Sequence, residues 1–234
     1  MSKTSIEKQL KALGNAEIAS HSQRFFKTGP GEYGEGDVCL GIRVPVLRKQ
    51  VNGLRAEPFA DVLALLKSQY HEARLLALLL LVDRFERGEE ATRQQVYEAY
   101  LEHTDYINNW DLVDSSAHKI VGAYLQDKPR NMLYQLASSQ LLWEKRIAMI
   151  ATFWFIKDDD FVDALALAER FLYESHDLMH KAVGWGLREV GNRERDVMEK
   201  FLLQHYHIMP RTMLRYAIEK LPETRRQEYL QGTI

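Results

Sequence analysis

The middle of the sequence reads Glu144-Lys145-Arg146-Ile147-Ala148, a basic residue leading into alanine and an apolar run, and the same pattern stands at three other places. These are Glu72-Ala73-Arg74-Leu75-Leu76-Ala77, His180-Lys181-Ala182-Val183-Gly184 and Leu214-Arg215-Tyr216-Ala217. Their basic positions, 74, 146, 181 and 215, are 72, 35 and 34 residues apart. The first interval is twice 36, and Trp110-Asp111-Leu112-Val113-Asp114 falls at its middle. A period of about 35–40 residues is the size of a HEAT-type helix pair. Stacked pairs bury their apolar faces against neighbours and leave one helix of each pair along a concave surface.

Helical periodicity continues outward from these segments. His71 to Arg87 is a long Leu-rich stretch with polar ends, and Leu141 to Ile156, Phe161 to Tyr173 and Leu178 to Val190 repeat apolar residues at i, i+3, i+4 and i+7. Start signals precede several of them: Asp158-Asp159-Asp160 before Phe161, Asp127-Lys128-Pro129 before Asn131, and Pro210 before Arg211. Strand-like alternation is hard to find, and 13 Gly with 6 Pro are few for a turn-rich sandwich or barrel. The expected fold is all-α, one repeat domain over residues 1–234.

Composition bounds the function. At 46% hydrophobic and 27% charged the chain is an ordinary globular mix. The single Cys39 forms no internal disulfide and suits a reducing cytoplasm. The stretch from Met1 to Leu13 is polar and helical rather than a basic-then-apolar signal. The longest apolar run, Leu75 to Val82, is far short of the roughly 20 residues that cross a bilayer. No membrane role is expected. Net charge is −2, but residues 1–60 carry nine Lys/Arg against six Asp/Glu and residues 180–226 carry ten against six, while 61–179 carries twelve against twenty. Basic side chains can still serve DNA if they share a face, because phosphate neutralisation is local.

Lys27 to Asp37 breaks the helical pattern with a literal G-x-G-x-x-G at Gly29, Gly31 and Gly34. A dinucleotide fingerprint must follow a strand and open a helix. Here a helix precedes it, Pro30 interrupts it, and Glu32, Glu35 and Asp37 would repel a pyrophosphate. A flexible connection, or a loop lying against a ligand backbone, are the readings left. His176 and His180 stand at i and i+4 as in a helical zinc motif, but no third ligand is evident, so no metal is expected.

Trp110 and Asp114, four residues apart, share one helix face, where an aromatic ring and a carboxylate could cradle a cationic group. A core tryptophan with a capping aspartate is the plainer alternative. Asp111 is rotated away and reads as a helix N-terminal acid facing the dipole. The period adds to the pair: Arg146 follows Trp110 by 36 residues, Trp185 follows Arg146 by 39, and Arg188 shares the face of Trp185. Arginine suits phosphate forks and tryptophan suits stacking.

Asn109-Trp110-Asp111-Leu112-Val113-Asp114, Trp143-Glu144-Lys145-Arg146-Ile147-Ala148 and Lys181-Ala182-Val183-Gly184-Trp185-Gly186-Leu187-Arg188-Glu189 resemble three signature segments of the AlkD family of DNA alkylation repair glycosylases. Leu40-Gly41-Ile42-Arg43-Val44-Pro45 matches a fourth, and the resemblance runs from about residue 20 to 220. It implies a right-handed superhelical solenoid of HEAT-like repeats, holding duplex DNA that contains alkylated bases. It also implies hydrolysis of the N-glycosidic bond of cationic alkylpurines such as 3-methyladenine and 7-methylguanine, by a monomer without a small-molecule cofactor. On this resemblance Asp114 is the catalytic carboxylate. Trp110 and Trp185 contact the lesion's deoxyribose and backbone, Arg146 holds the adjacent phosphate, and Arg188 and Arg43 join the DNA contacts. Some relatives of this fold bind branched DNA without excising a base, which is the alternative function. The loop at 29–37 is an insertion relative to the shortest members.

Overall fold

The structure is a computed structural model that describes residues 2–234. Met1, part of the expected first helix, lies outside the described residues. Helices form wherever the sequence repeats at a helical period, and no strand occurs among the described residues. An isolated bridge pairs Val38 with Tyr70. The chain divides at Ile120–Val121 into two compact units, each with its own core.

The first unit holds α1 (Lys3–Leu13), α2 (Ala16–Phe25), α3 (Val44–Leu54), α4 (Phe59–Leu66), α5 (His71–Arg87), α6 (Glu90–Leu101) and α7 (Trp110–Ala117). The Leu-rich α5 has the expected bounds and is buried along nearly its whole length. It is apolar on every side because α3, α4, α6 and α7 all pack against it.

The second unit holds α8 (Asn131–Ala137), α9 (Leu142–Ala151), α10 (Phe153–Ile156), α11 (Val162–Arg170), α12 (Asp177–Arg193), α13 (Arg195–His205), α14 (Arg211–Ala217) and α15 (Glu223–Gln231). Its central helix is α12, which packs on α9, α10, α11, α13 and α14. Gly184 makes the closest of these approaches possible. A Cβ there would lie 2.4 Å from the Met213 carbonyl and 2.5 Å from the Tyr216 Cβ, both on α14.

Three helices differ from the expected bounds, and one of them, expected over Phe161 to Tyr173, is the shorter α11, Val162–Arg170. The single helix expected over Leu141 to Ile156 breaks at buried Thr152, whose hydroxyl donates to the Met149 carbonyl at 2.7 Å. The helix expected over Leu178 to Val190 is longer at both ends. Its start is fixed by His176, whose Nδ1 accepts from the Leu178 amide at 3.1 Å.

The sequence period survives as structural register. Arg74 is the fourth residue of α5, and Arg146, Lys181 and Arg215 are each the fifth residue of α9, α12 and α14. Trp110, at the middle of the double interval, is the first residue of α7, and Asp114 is the fifth. The four basic positions therefore each lie one turn into a helix. Among the described residues no helix is long and apolar enough to cross a membrane.

Candidate nucleic-acid interface

Buried Asn109 sets the start of α7. Its Oδ1 accepts from the Trp110 amide at 2.9 Å, and its Nδ2 donates to the Phe26 carbonyl at 3.5 Å. Trp110 is thus the first helical residue and Asp114 follows one turn later, both half-buried. The Trp110 ring meets Phe25 edge-on and Phe26 at a tilt, each with centroids 5.7 Å away. Phe25 remains 56% exposed, which leaves an aromatic surface beside Trp110. Ser116, also on α7, donates to the Leu112 carbonyl at 2.6 Å and so accepts from the hydroxyl of buried Tyr100 at 2.9 Å. Burial pushes the Tyr100 phenol pKa up, and the Asp114 charge adds to the rise against the opposing Ser116 hydrogen bond. Tyr100 stays neutral near Asp114.

A buried polar cluster adjoins Trp110, and sequence reasoning did not find it. His71, 1% exposed at the head of α5, faces Asp111 Oδ2 through Nε2 at 2.7 Å and Asp37 Oδ2 through Nδ1 at 3.2 Å. Asp37 also accepts from Arg74 at 2.6 Å and from Asn108 at 3.2 Å, while Arg74 donates to Asn108 Oδ1 and the Ser68 carbonyl. Asp111 takes the Leu112 amide on its other oxygen, as a helix N-terminal acid should, but its bond to His71 was not expected. Burial works against the His71 cation, yet the Asp111 charge and the hydrogen bonds to Asp111 and Asp37 lift its pKa to about 9. The available signal was three ionisable residues, His71, Glu72 and Arg74, in the first turn of a helix otherwise built to be buried.

Glu72 fixes the segment before Arg43. Its buried carboxylate accepts from the amides of Leu40, Gly41 and Ile42 at 2.8, 2.7 and 3.2 Å. Gly41 has φ +78°, and a Cβ there would lie 2.1 Å from the Asn15 carbonyl. Arg43 then flanks α3, exposed, and with His21, Phe25 and Phe26 lines a cleft of about 870 Å³. Cys39 nearby is buried, and burial followed by the charges of Glu72 and Asp37 pushes its thiol up to about 12. It packs as a small hydrophobe.

The glycine-rich loop is closed by its own carboxylates. Glu32 accepts from the Gly29 amide and Glu35 from the Gly31 amide, each at 2.9 Å. Amides that would cradle a phosphate are therefore occupied, in line with the rejected dinucleotide reading. Nor is the loop a slack connection, since its last residue, Asp37, is buried in the His71 cluster.

In the second unit Arg146, Trp185 and Arg188 gather around α12. Arg146 is 4% exposed and donates from Nη1 to the Leu178 carbonyl at 2.5 Å. Trp185 donates from Nε1 to Glu189 at 2.8 Å and packs edge-on against Phe153 at 4.6 Å. Arg188 is ion-paired with Glu219. His180 faces the Glu174 carbonyl through Nε2 at 2.6 Å, so both histidines of the apparent zinc pair hold backbone groups. No cluster suited to a metal ion occurs among the described residues.

An all-α helical-repeat protein with a Trp–Asp pair at the head of one helix and Arg, Trp and Arg gathered around another is the class so defined. The chain belongs to the DNA alkylation repair enzyme family, whose model matches residues 6–221. Among solved structures it is similar to a predicted DNA alkylation repair enzyme from Enterococcus faecalis, with TM-score 0.69 at 15% identity over 90% of this chain and 97% of that one. That likeness is one of fold. No curated protein matches the chain.

Proposed function

We propose that the protein is a DNA glycosylase that hydrolyses the N-glycosidic bond of positively charged alkylpurines, 3-methyladenine and 7-methylguanine, in duplex DNA, as a monomer and without a cofactor. The observation that most supports this is Asp114, half-buried on α7 one turn from the half-buried Trp110, in a chain of the DNA alkylation repair family. An N-alkylated purine already carries positive charge. When the bond from C1′ breaks, its electron pair goes to the base, which leaves neutral, so no strong general acid is needed. Positive charge instead grows on the sugar as oxocarbenium character. Asp114 supplies the opposing charge and accepts a proton from the water that adds to C1′. Trp110, with the exposed edge of Phe25 beside it, offers the developing cation an aromatic face.

Trp185 and Arg188 contact the backbone in this reading, with Arg43 as a phosphate anchor from the first unit. Arg43 suits that role because it is exposed and, among the described residues, has no carboxylate partner. Arg146 is assigned phosphate contact by the resemblance, but at 4% exposure it acts chiefly by holding the start of α12 through Leu178. The experiment is base release from duplex DNA treated with a methylating agent. Free 7-methylguanine in excess of a no-enzyme control is expected. Salt-dependent DNA binding with no base released would instead favour a non-catalytic DNA-binding protein.

A further inference from the structure

We infer that His71 is a positioning residue which, as an imidazolium, clamps the glycine-rich loop to the first turn of α7 and thereby holds Trp110 in place. The inference extends the proposed function, since Trp110 matters through that reading. Its first support is donor arithmetic. A neutral imidazole has one N–H, whereas His71 faces a carboxylate oxygen on each ring nitrogen, Asp111 at 2.7 Å and Asp37 at 3.2 Å. Only the doubly protonated ring donates to both. A neutral ring would set a lone pair against a buried carboxylate.

The clamp joins two segments distant in sequence, because Asp37 ends the loop and Asp111 lies in the first turn of α7. It reaches Trp110 by two routes. Asp111 is its chain neighbour. Phe26 stacks on the His71 ring with centroids 4.4 Å apart and 27° between planes, and the same Phe26 ring touches Trp110. The charged groups around His71 are Asp111 from α7, Asp37 from the loop, and Glu72 and Arg74 from α5, with Asn108 completing the hydrogen bonds on Asp37. Arg74 opposes the histidine cation, and the two aspartates outweigh it. Loss of the His71 proton leaves one aspartate without a donor from the ring and loosens Phe26 and Trp110 together.

The test follows the His71 ring and the Trp110 indole by NMR in the full-length protein as pH rises, with assignments from His71→Gln and Trp110→Phe. Two N–H groups on His71 at pH 7.5 are expected, and a Trp110 indole signal that shifts with the His71 midpoint near 9. Asp111→Asn keeps a polar group of the same shape and removes a charge, so both midpoints should fall together by at least one pH unit. A single N–H at pH 7.5, or a Trp110 signal indifferent to the His71 titration, would overturn the clamp. Base release is measured alongside and should decline above the same midpoint in each protein. Absence of release at every pH would remove the glycosylase reading while the NMR result still decides the clamp.

Discussion

Arg146 Nη1 donates to the main-chain carbonyl of Leu178 at 2.5 Å, which ties α9 to the first turn of α12. A guanidinium committed in this way is a structural element before it is a DNA contact. Arg146→Ala removes a charged hydrogen bond from a buried site, a loss of about 2 kcal/mol. In a chain of this size that lowers Tm by about 4–8 °C, measurable by thermal unfolding without DNA. An unchanged Tm would return Arg146 to a pure phosphate role.

Arg43 should behave in the opposite way. It is exposed beside α3, so Arg43→Ala is expected to leave Tm unchanged within about 1 °C and to weaken duplex binding evenly across sequences. The slope of log K against log salt should fall by about one, the signature of a lost phosphate contact. A sequence-dependent loss would contradict that assignment.

Arg188 carries a built-in competitor in Glu219, which also lies 3.9 Å from Lys220. Phosphate binding by Arg188 requires exchange of that partner. Glu219→Gln should tighten duplex binding about two- to ten-fold at low salt, an effect fading toward 0.5 M salt. Stability should change by less than about 1 kcal/mol, since Glu219 is half-exposed. Weaker binding by the variant would place Arg188 outside the DNA contact.

The His71 cluster should give stability a defined pH window. His71 has a raised pKa, so its contribution is fully present below about 6.5 and is lost as pH rises through about 9. Asp37 is opposed by burial but held below the usual carboxylate range by His71, Arg74 and Asn108. Its contribution is therefore present above pH 3.8 and lost as pH falls further. Tm measured across pH 3–10 is expected to plateau between about 4 and 6.5 and to decline toward 9. In His71→Gln the alkaline decline should disappear.

The repeat of a basic residue leading into alanine was legible because burial of an amphipathic face imposes helical spacing on sequence, and Arg74, Arg146, Lys181 and Arg215 do sit one turn into their helices. The start of α7 was legible too, through Asp111, which reads as a helix N-terminal acid and lies in the first turn. Burial was not. Arg74 and Arg146 share the motif with Arg215 yet are buried, while Arg215 is exposed, since neighbouring helices decide exposure and the local sequence does not. The His71 cluster escaped notice for the same reason. Asp37, His71 and Asp111 are separated by 34 and 40 residues, and a hydrogen bond over that range leaves no periodic trace.

Asp114 carries the chemical claim, and a single-turnover comparison tests it most directly. Release of 7-methylguanine from methylated duplex DNA is followed with wild type and Asp114→Asn, both in excess over substrate, with duplex affinity measured in parallel. The account expects the variant's release rate to fall about 100-fold or more, in the range for loss of a charge that stabilises the transition state, with affinity changed less than about three-fold. Equal release rates from the two proteins would contradict it.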